Sequence, residues 1–314
     1  MRILVLGAGA LGGYFGGRLL QAGADVCFLV RSRRRVQLER DGLVVESPYG
    51  ALRCPVPLLA PSDAAPGWDV VLLACKAYDL DGAIAAIRPA VDARTAVLSV
   101  LNGVSHIGTL QRAFGAERVL GGLAKIQATL APDGTVRHLN DWRYLTFGEM
   151  DGRMSPRVEA LAALASGATG MVAAAVPDIG FRLWEKLVHL GTSAVSTVLL
   201  RANVGEIVRS PSGATLLLRV LERNAAIAAA NGHPMRDAFL AEYRAVFSDP
   251  GSAYSASILR DLEAGGRIEA DHILGFLLEA ARRAGVAAEL HEAAFLNAKA
   301  YEQRRDAGRL PGRG

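Results

Sequence analysis

The chain has 314 residues, 51% hydrophobic and 21% charged, enough for a sizeable core and for two ordinary domains. No apolar run reaches the ~18 residues of a membrane span. The net charge of +4 gathers in "RSRRR" and "RRDAGRLPGRG", without the broad basic stripe, aromatics or motif of a nucleic-acid binder.

The first segment, "MRILVLGAGALGG", superficially resembles a signal peptide, but glycines at 7, 9, 12 and 16 suit a strand, turn and helix better. A strand over "RILVLG" is followed by a helix from Ala10 to Ala22. "ADVCFLV" is the second strand and "SRRRVQLER" a helix. "GLVVESPYGALRCPV" reads as a hairpin about Pro48, Tyr49 and Gly50. Short apolar runs at 69–75 and 95–100 flank a helix at 78–88. Continuous apolar strands separated by helices predict a parallel sheet covered on both faces. Shorter strands follow around 118–149 with a turn at "APDG", then a helix near 155–166. From Asp178 to about Arg305 the periodicity is helical throughout, broken by "ANVG", "SPSG", "NGHP", "SDPGS", "AGGR" and "RAGV". The expected fold is α/β: an N-terminal Rossmann domain with a doubly wound parallel sheet over 1–177, an all-helical domain over 178–306, and a flexible tail over 307–314. Cys27, Cys54 and Cys75 are odd in number and scattered without metal-ligand spacing. No metal or disulfide is expected, and the expected location is the cytoplasm.

Gly7-Ala8-Gly9-Ala10-Leu11-Gly12 is a G-x-G-x-x-G set between a strand and a helix, the context of a dinucleotide site. Gly7 permits the tight turn, Gly9 the approach of a pyrophosphate, and Gly12 close packing of helix on strand. The helix N-terminus adds free N–H groups and a positive dipole end. At the end of the second strand an NAD site carries an acid for the ribose 2′-OH. Here that end reads Val30-Arg31-Ser32-Arg33-Arg34, so Arg31 is the candidate for a 2′-phosphate and NADPH the expected cofactor. Arg34 and Arg35 read equally well as a solvated basic helix start. Lys76 in "CKAYD" and Asn102 in "LNGV" follow later strands, on the edge where open α/β sheets bind ligands; Asn102 suits a helix cap as well as a ligand contact.

"LWEKLVHLGTSAVSTVLL" reads as a buried helix with no full charge between Lys186 and Arg201. Only four lysines (Lys76, Lys125, Lys186 and Lys299) stand among the 35 basic residues. Unlike an arginine, a lysine can be tuned toward neutrality and can exchange a proton. His189, Leu190, Ser193 and Thr197 share its helix face. Glu269, at the start of a later amphipathic helix, suits either the helix dipole or a partnership with Lys186.

Together these residues resemble the ketopantoate reductase (2-dehydropantoate 2-reductase) family. The resemblance runs from Met1 to about Tyr301. It rests on the glycine set, Lys76 in "CKAYD", Asn102 in "LNG", Lys186 in "LWEKL", and Ser257, Asp261 and Glu269 in "SxxxDLxxGxRIEADxxxG". It implies a Rossmann domain and a helical domain with the active site in the cleft between. It also implies NADPH-dependent reduction of a 2-oxo acid to a 2-hydroxy acid, in the type case 2-dehydropantoate to pantoate in pantothenate biosynthesis. By the same resemblance Lys186 is the general acid, Glu269 contacts substrate and cofactor, Ser257 contacts substrate, and Asn102 touches both. The family pattern places asparagines four and eight residues after the lysine, where this chain has Leu190 and Ala194. Another asparagine is expected at Val204, with Asn203 one place early. Ser193, Thr197, Asn203 and His189 are the candidates to compensate. A reductase of a more apolar ketone or imine, and a non-catalytic NADP(H) sensor, are the alternatives. The partner is a small carbonyl compound, neither a nucleic acid nor a membrane, and a homodimer is the assembly kept open.

Overall fold

The structure, a computed structural model, describes residues 1–310. The chain divides into two compact units, one of Met1–Leu101 with His106–Leu183, the other of Asn102–Ser105 with Trp184 onward. The division falls inside a helix rather than at 177/178.

In the first unit the elements run β1 (Arg2–Leu6), α1 (Ala10–Gln21), β2 (Asp25–Leu29), α2 (Ser32–Asp41), β3 (Leu43–Glu46), β4 (Leu52–Cys54), β5 (Leu58–Leu59), β6 (Val70–Leu73), α3 (Leu80–Ile87), β7 (Ala96–Ser99), α4 (Ser105–Phe114), β8 (Val119–Leu130), β9 (Val136–Glu149), α5 (Pro156–Ser166) and β10 (Val172–Ala175). One sheet runs in the order β4-β3-β9-β8-β7-β6-β1-β2-β5, with β10 on β9. β1 lies parallel between β2 and β6, with Ile3 opposite Val26 on one side and Val70 on the other. The chain goes to one side of β1 for β2 and to the other for β6. That reversal makes the carboxyl end of β1 a topological switch point, where such sheets bind ligands. β6 and β7 are buried along their whole length, as strands covered on both faces must be.

The sheet is mixed rather than wholly parallel. β8 and β9, 12 and 14 residues long, form an antiparallel ladder from Leu120–Glu149 to Leu130–Val136. They are longer than the strand signals suggest because their distal halves are largely exposed and carry no apolar run. β5 and the parallel pairing of β3 with β9 also escape the sequence pattern. Cys75 lies just beyond β6, not within it.

The second unit is helical: α6 (Ile179–Leu200, shared across the division), α7 (Val204–Arg209), α8 (Gly213–Ala230), α9 (Asp237–Val246), α10 (Ser257–Glu263), a π-turn at Asp271–Gly275 leading into α11 (Phe276–Ala284), and α12 (Glu289–Asp306). The tail expected over 307–314 lies, from residue 311, outside the described residues. No helix among the described residues is long and apolar enough to cross a membrane.

A polar chain crosses this apolar core. His291 Nε2 lies 2.8 Å from Asn224 Oδ1, Asn224 Nδ2 donates to Thr192 Oγ1 at 3.1 Å, and Thr192 Oγ1 donates to Val188 O at 2.7 Å. An amide oxygen only accepts, so Nε2 carries the proton, and Nδ1 is buried without a partner. Burial, reinforced by Arg223, pushes His291 down from 6.5 to about 4. Above pH 6.5 the ring is neutral in both folded and unfolded chains and contributes no pH dependence. Below it the unfolded chain takes up a proton that the fold refuses until about pH 4. Stability therefore falls across that window, by about 3 kcal/mol in all from this group. Urea midpoints at pH 7 and pH 5 check this: His291→Gln should show a distinctly smaller loss on acidification than the parent. Equal losses would contradict it.

Candidate active site

In the first unit, the loop after β1 takes the form its glycines require. Gly7 has φ +92°, a left-handed conformation that side chains avoid. At Gly12 a Cβ would lie 1.9 Å from Gly7 O, so only glycine lets α1 start this close to β1. At Gly9 a Cβ would meet nothing within 4 Å, so the loop surface there is open to a ligand. The first bond of α1 runs from Gly13 N to Gly9 O, and no side chain caps the helix. The amides at the start are left for an anion. The arrangement fits a dinucleotide pyrophosphate.

Two further segments meet this loop. Ala74, just past β6, has its carbonyl oxygen 3.8 Å from where a Cβ on Gly7 would stand and its Cβ 3.1 Å from the Cβ position of Gly12. This brings the β6 carboxyl end, with exposed Lys76 two residues on, against the loop. Arg31 stands at the N-cap of α2, exposed, with Nη2 3.3 Å from Asp79 Oδ2. Arg34 is not the solvated helix residue that the basic run suggests. Its Nε donates to Ala8 O and its Nη1 to Gly134 O, both at 2.8 Å. No signal in the sequence marks it off from its arginine neighbours.

The second unit gathers the proton-transfer candidates. Asn102 precedes α4, which opens only at Ser105, so Asn102 does not cap it. A Cβ on Gly103 would lie 3.2 Å from His272 O, so the Asn102 loop abuts the π-turn that Glu269 precedes. Glu269 is 7% exposed, and its carbonyl accepts from Ile273 N, which puts it at the helix start with its charge at the favourable dipole end. Lys186 is partly exposed on α6. Burial pushes its ammonium from 10.5 down to about 8, against the pull of the Glu269 carboxylate. Glu269 thus stands at a helix start and within electrostatic reach of Lys186. Ser257, half-buried, opens α10.

The face beyond Lys186 differs from its sequence expectation. Leu190 keeps partial exposure, but Ala194 is 1% exposed and belongs to the apolar core. Ser193 Oγ donates to Leu190 O and also lies 3.4 Å from Tyr254 Oη, and Thr197 Oγ1 donates to Ser193 O; both residues are fully buried, their hydroxyls engaged within the protein. Asn203 is the cap of α7, in a reciprocal capping box with Glu206. His189 sits among Tyr243 and Tyr254, ring centroids 4.5 and 5.4 Å away. The two tyrosines join His189 only through tertiary packing, so the sequence pattern does not single them out. Burial pushes Tyr243 up to about 12, so its phenol stays a donor.

Residues 3–152 match the family Ketopantoate reductase PanE/ApbA, and residues 178–302 match its C-terminal counterpart. The chain belongs to the ketopantoate reductase family. Members of this family are pyridine-nucleotide-dependent oxidoreductases acting on a carbonyl. An uncharacterized oxidoreductase, YkpB of Bacillus subtilis (strain 168), is 33% identical over 302 residues, which cover 96% of this chain and 99% of that one. The 2-dehydropantoate 2-reductase of Archaeoglobus fulgidus is 33% identical over 285 residues, covering 91% and 92%. Among solved structures, 2-dehydropantoate 2-reductase from Methylococcus capsulatus has a TM-score of 0.86 at 28% identity, covering 97% of this chain and 98% of that one.

Proposed function

We propose that this ketopantoate reductase family member reduces a 2-oxo acid with NADPH, and that Lys186 supplies the proton. What carries the reading is the pairing of Lys186 with the field of the buried Glu269 carboxylate, burial lowering the ammonium to about 8, in a chain that also holds an open glycine cradle. A nucleotide sensor needs the cradle but has no use for the tuned lysine. When bound, the reduced nicotinamide supplies a hydride to the carbonyl carbon. The Lys186 ammonium gives its proton to the carbonyl oxygen, leaving a neutral amine that regains a proton from solvent, and the product is the 2-hydroxy acid. Glu269 holds the ammonium in its charged form before transfer. Asn102 and Ser257 orient the substrate, while Lys76, Asn102 and Glu269 engage the cofactor.

Arg31 decides between cofactors. Its pair with Asp79 is exposed, and such pairs are worth about 0–1 kcal/mol. A charge-assisted bond to a 2′-phosphate is worth about 1.5–3 kcal/mol, so the phosphate wins the arginine from Asp79. NADPH is then preferred over NADH by about tenfold to a hundredfold in kcat/KM, and Arg31→Ala abolishes the preference. Equal use of both cofactors by the unaltered protein would end this assignment.

The substrate is more apolar than ketopantoate. Leu190 stands at a family amide position, and Ser193, Thr197 and Asn203 are all engaged elsewhere. A polar substrate group left unpaired costs about 1–3 kcal/mol. We expect kcat/KM for ketopantoate below roughly 10⁴ M⁻¹s⁻¹, better values for 2-oxo acids with apolar side chains, and a gain for ketopantoate in Leu190→Asn. Ala194→Asn is no companion test, because it forces an amide into the packed core. Ketopantoate as the best of a panel of 2-oxo acids, ketones and imines would overturn the substrate reading.

A further inference from the structure

We infer that Arg34 is a positioning residue for the dinucleotide pyrophosphate, acting from behind the glycine loop and equally for NADH and NADPH. The inference rests on reading Gly7–Gly12 as the nucleotide site, and it assigns to Arg34 a task distinct from that of Arg31, one helical turn earlier. Arg34 Nε donates to Ala8 O at 2.8 Å. In a planar trans peptide the C=O and the following N–H point in opposite directions. Holding the Ala8 carbonyl toward Arg34 therefore aims the Gly9 N–H the other way, outward from the loop. Hydrogen bonds in a chain polarise one another, so a guanidinium on the carbonyl makes that N–H a stronger donor to an anion.

The other arm of the same guanidinium fixes its position. Nη1 donates to Gly134 O at 2.8 Å, in the turn between β8 and β9. Gln37, one turn along α2, reaches the same turn through Pro132 O at 3.4 Å. The loop, α2 and the long hairpin are thus tied at one point within the first unit.

The electrostatics point the same way. Arg34 is partly buried and its Nη2 is buried without a partner. Burial pushes its pKa down, and no carboxylate opposes that shift. Among the described residues its acceptors are neutral: two backbone carbonyls and the Gln37 amide. A buried cation without a counter-ion is costly. Beside the open amides of α1, the pyrophosphate provides the missing negative charge. Because Arg34 grips the loop from the side of the Ala8 carbonyl, its effect reaches the ligand through the Ala8–Gly9 peptide and not through a direct contact.

The test is direct titration of NADPH and of NADH, read by nicotinamide fluorescence, with melting temperatures measured with and without cofactor. Arg34→Met should raise Kd for both cofactors by about tenfold to a hundredfold, by the same factor for each, and shrink the cofactor-induced rise in Tm. Its kcat at saturating cofactor should hold. Arg34→Lys keeps the charge and the stem but cannot hold both carbonyls, so its Kd should fall between the two. It also serves if Arg34→Met does not fold. An unchanged Kd in a folded variant with lowered Tm would make Arg34 a structural tie only, and overturn the proposal. A loss confined to NADPH would overturn it as well, making Arg34 a 2′-phosphate ligand. Failure of the unaltered protein to bind either dinucleotide would instead remove the nucleotide reading on which the inference rests.

Discussion

Lys186→Ala lowers kcat for 2-oxo acid reduction by about 10²–10⁴-fold, the usual value of a positioned proton donor, while Kd for NADPH hardly changes. The split follows from the task proposed for each residue: Lys186 transfers a proton, whereas the glycine loop and Arg31 hold the dinucleotide. Lys186→Arg does not restore turnover, because a guanidinium keeps its proton. In the parent, reduction needs the ammonium form, so kcat declines as pH rises through about 8. Stability separates catalysis from scaffolding. With a folded pKa below the unfolded value, Lys186 weakens the fold as pH falls from 10.5 to about 8 and does so fully below that. A catalytic lysine replaced by methionine thus leaves Tm at neutral pH equal or higher while turnover collapses. Turnover retained in Lys186→Ala would return the residue to a structural role.

The second large effect is at Gly12. Its Cβ position is 1.9 Å from Gly7 O and 3.1 Å from Ala74 Cβ, and the first contact is with backbone that has no rotamer to change. Gly12→Ala must push α1 away from β1. Overpacking costs about 1–3 kcal/mol and occasionally more, or about 2–4 °C of Tm per kcal/mol in a domain of this size. Cofactor binding should be lost with it, since the loop amides move with the helix. Gly9→Ala is the informative contrast. Its Cβ meets no protein atom within 4 Å, so Tm should hold, yet the methyl occupies the surface that a pyrophosphate approaches. Losing one charge-assisted bond there weakens binding by about tenfold to a hundredfold. Calorimetry and cofactor titration on both variants check the pair. Full cofactor affinity in Gly9→Ala would mean that the ligand does not approach this loop.

What the sequence made legible follows the reach of each physical signal. The parallel core was readable because β1, β2, β6 and β7 are continuous apolar runs, and the glycine set because its spacing sits between strand and helix. The helical breaks were readable from Gly, Pro and Asn pairs. The β8–β9 ladder was underestimated because only its proximal half is buried. Hydroxyl commitment could not be seen either: Ser193 and Thr197 share the face of Lys186, but whether a hydroxyl faces a ligand or its own helix depends on rotamer and packing. Asn203 carried a visible signal, three residues before Glu206, that of a capping box. Arg34 carried none, because its partners are the carbonyls of Ala8 and Gly134, one of them 100 residues away.

Proton transfer from Lys186 during hydride delivery to a 2-oxo acid is open to a single-turnover experiment. Protein saturated with NADPH is mixed with the best 2-oxo acid of the panel across pH 6 to 10, and loss of nicotinamide absorbance is followed. The hydride-transfer rate should be flat in acid, fall with a single ionisation near 8, and be lost in Lys186→Ala at every pH. A rate that holds or rises through that range, or one that persists in Lys186→Ala, would contradict it.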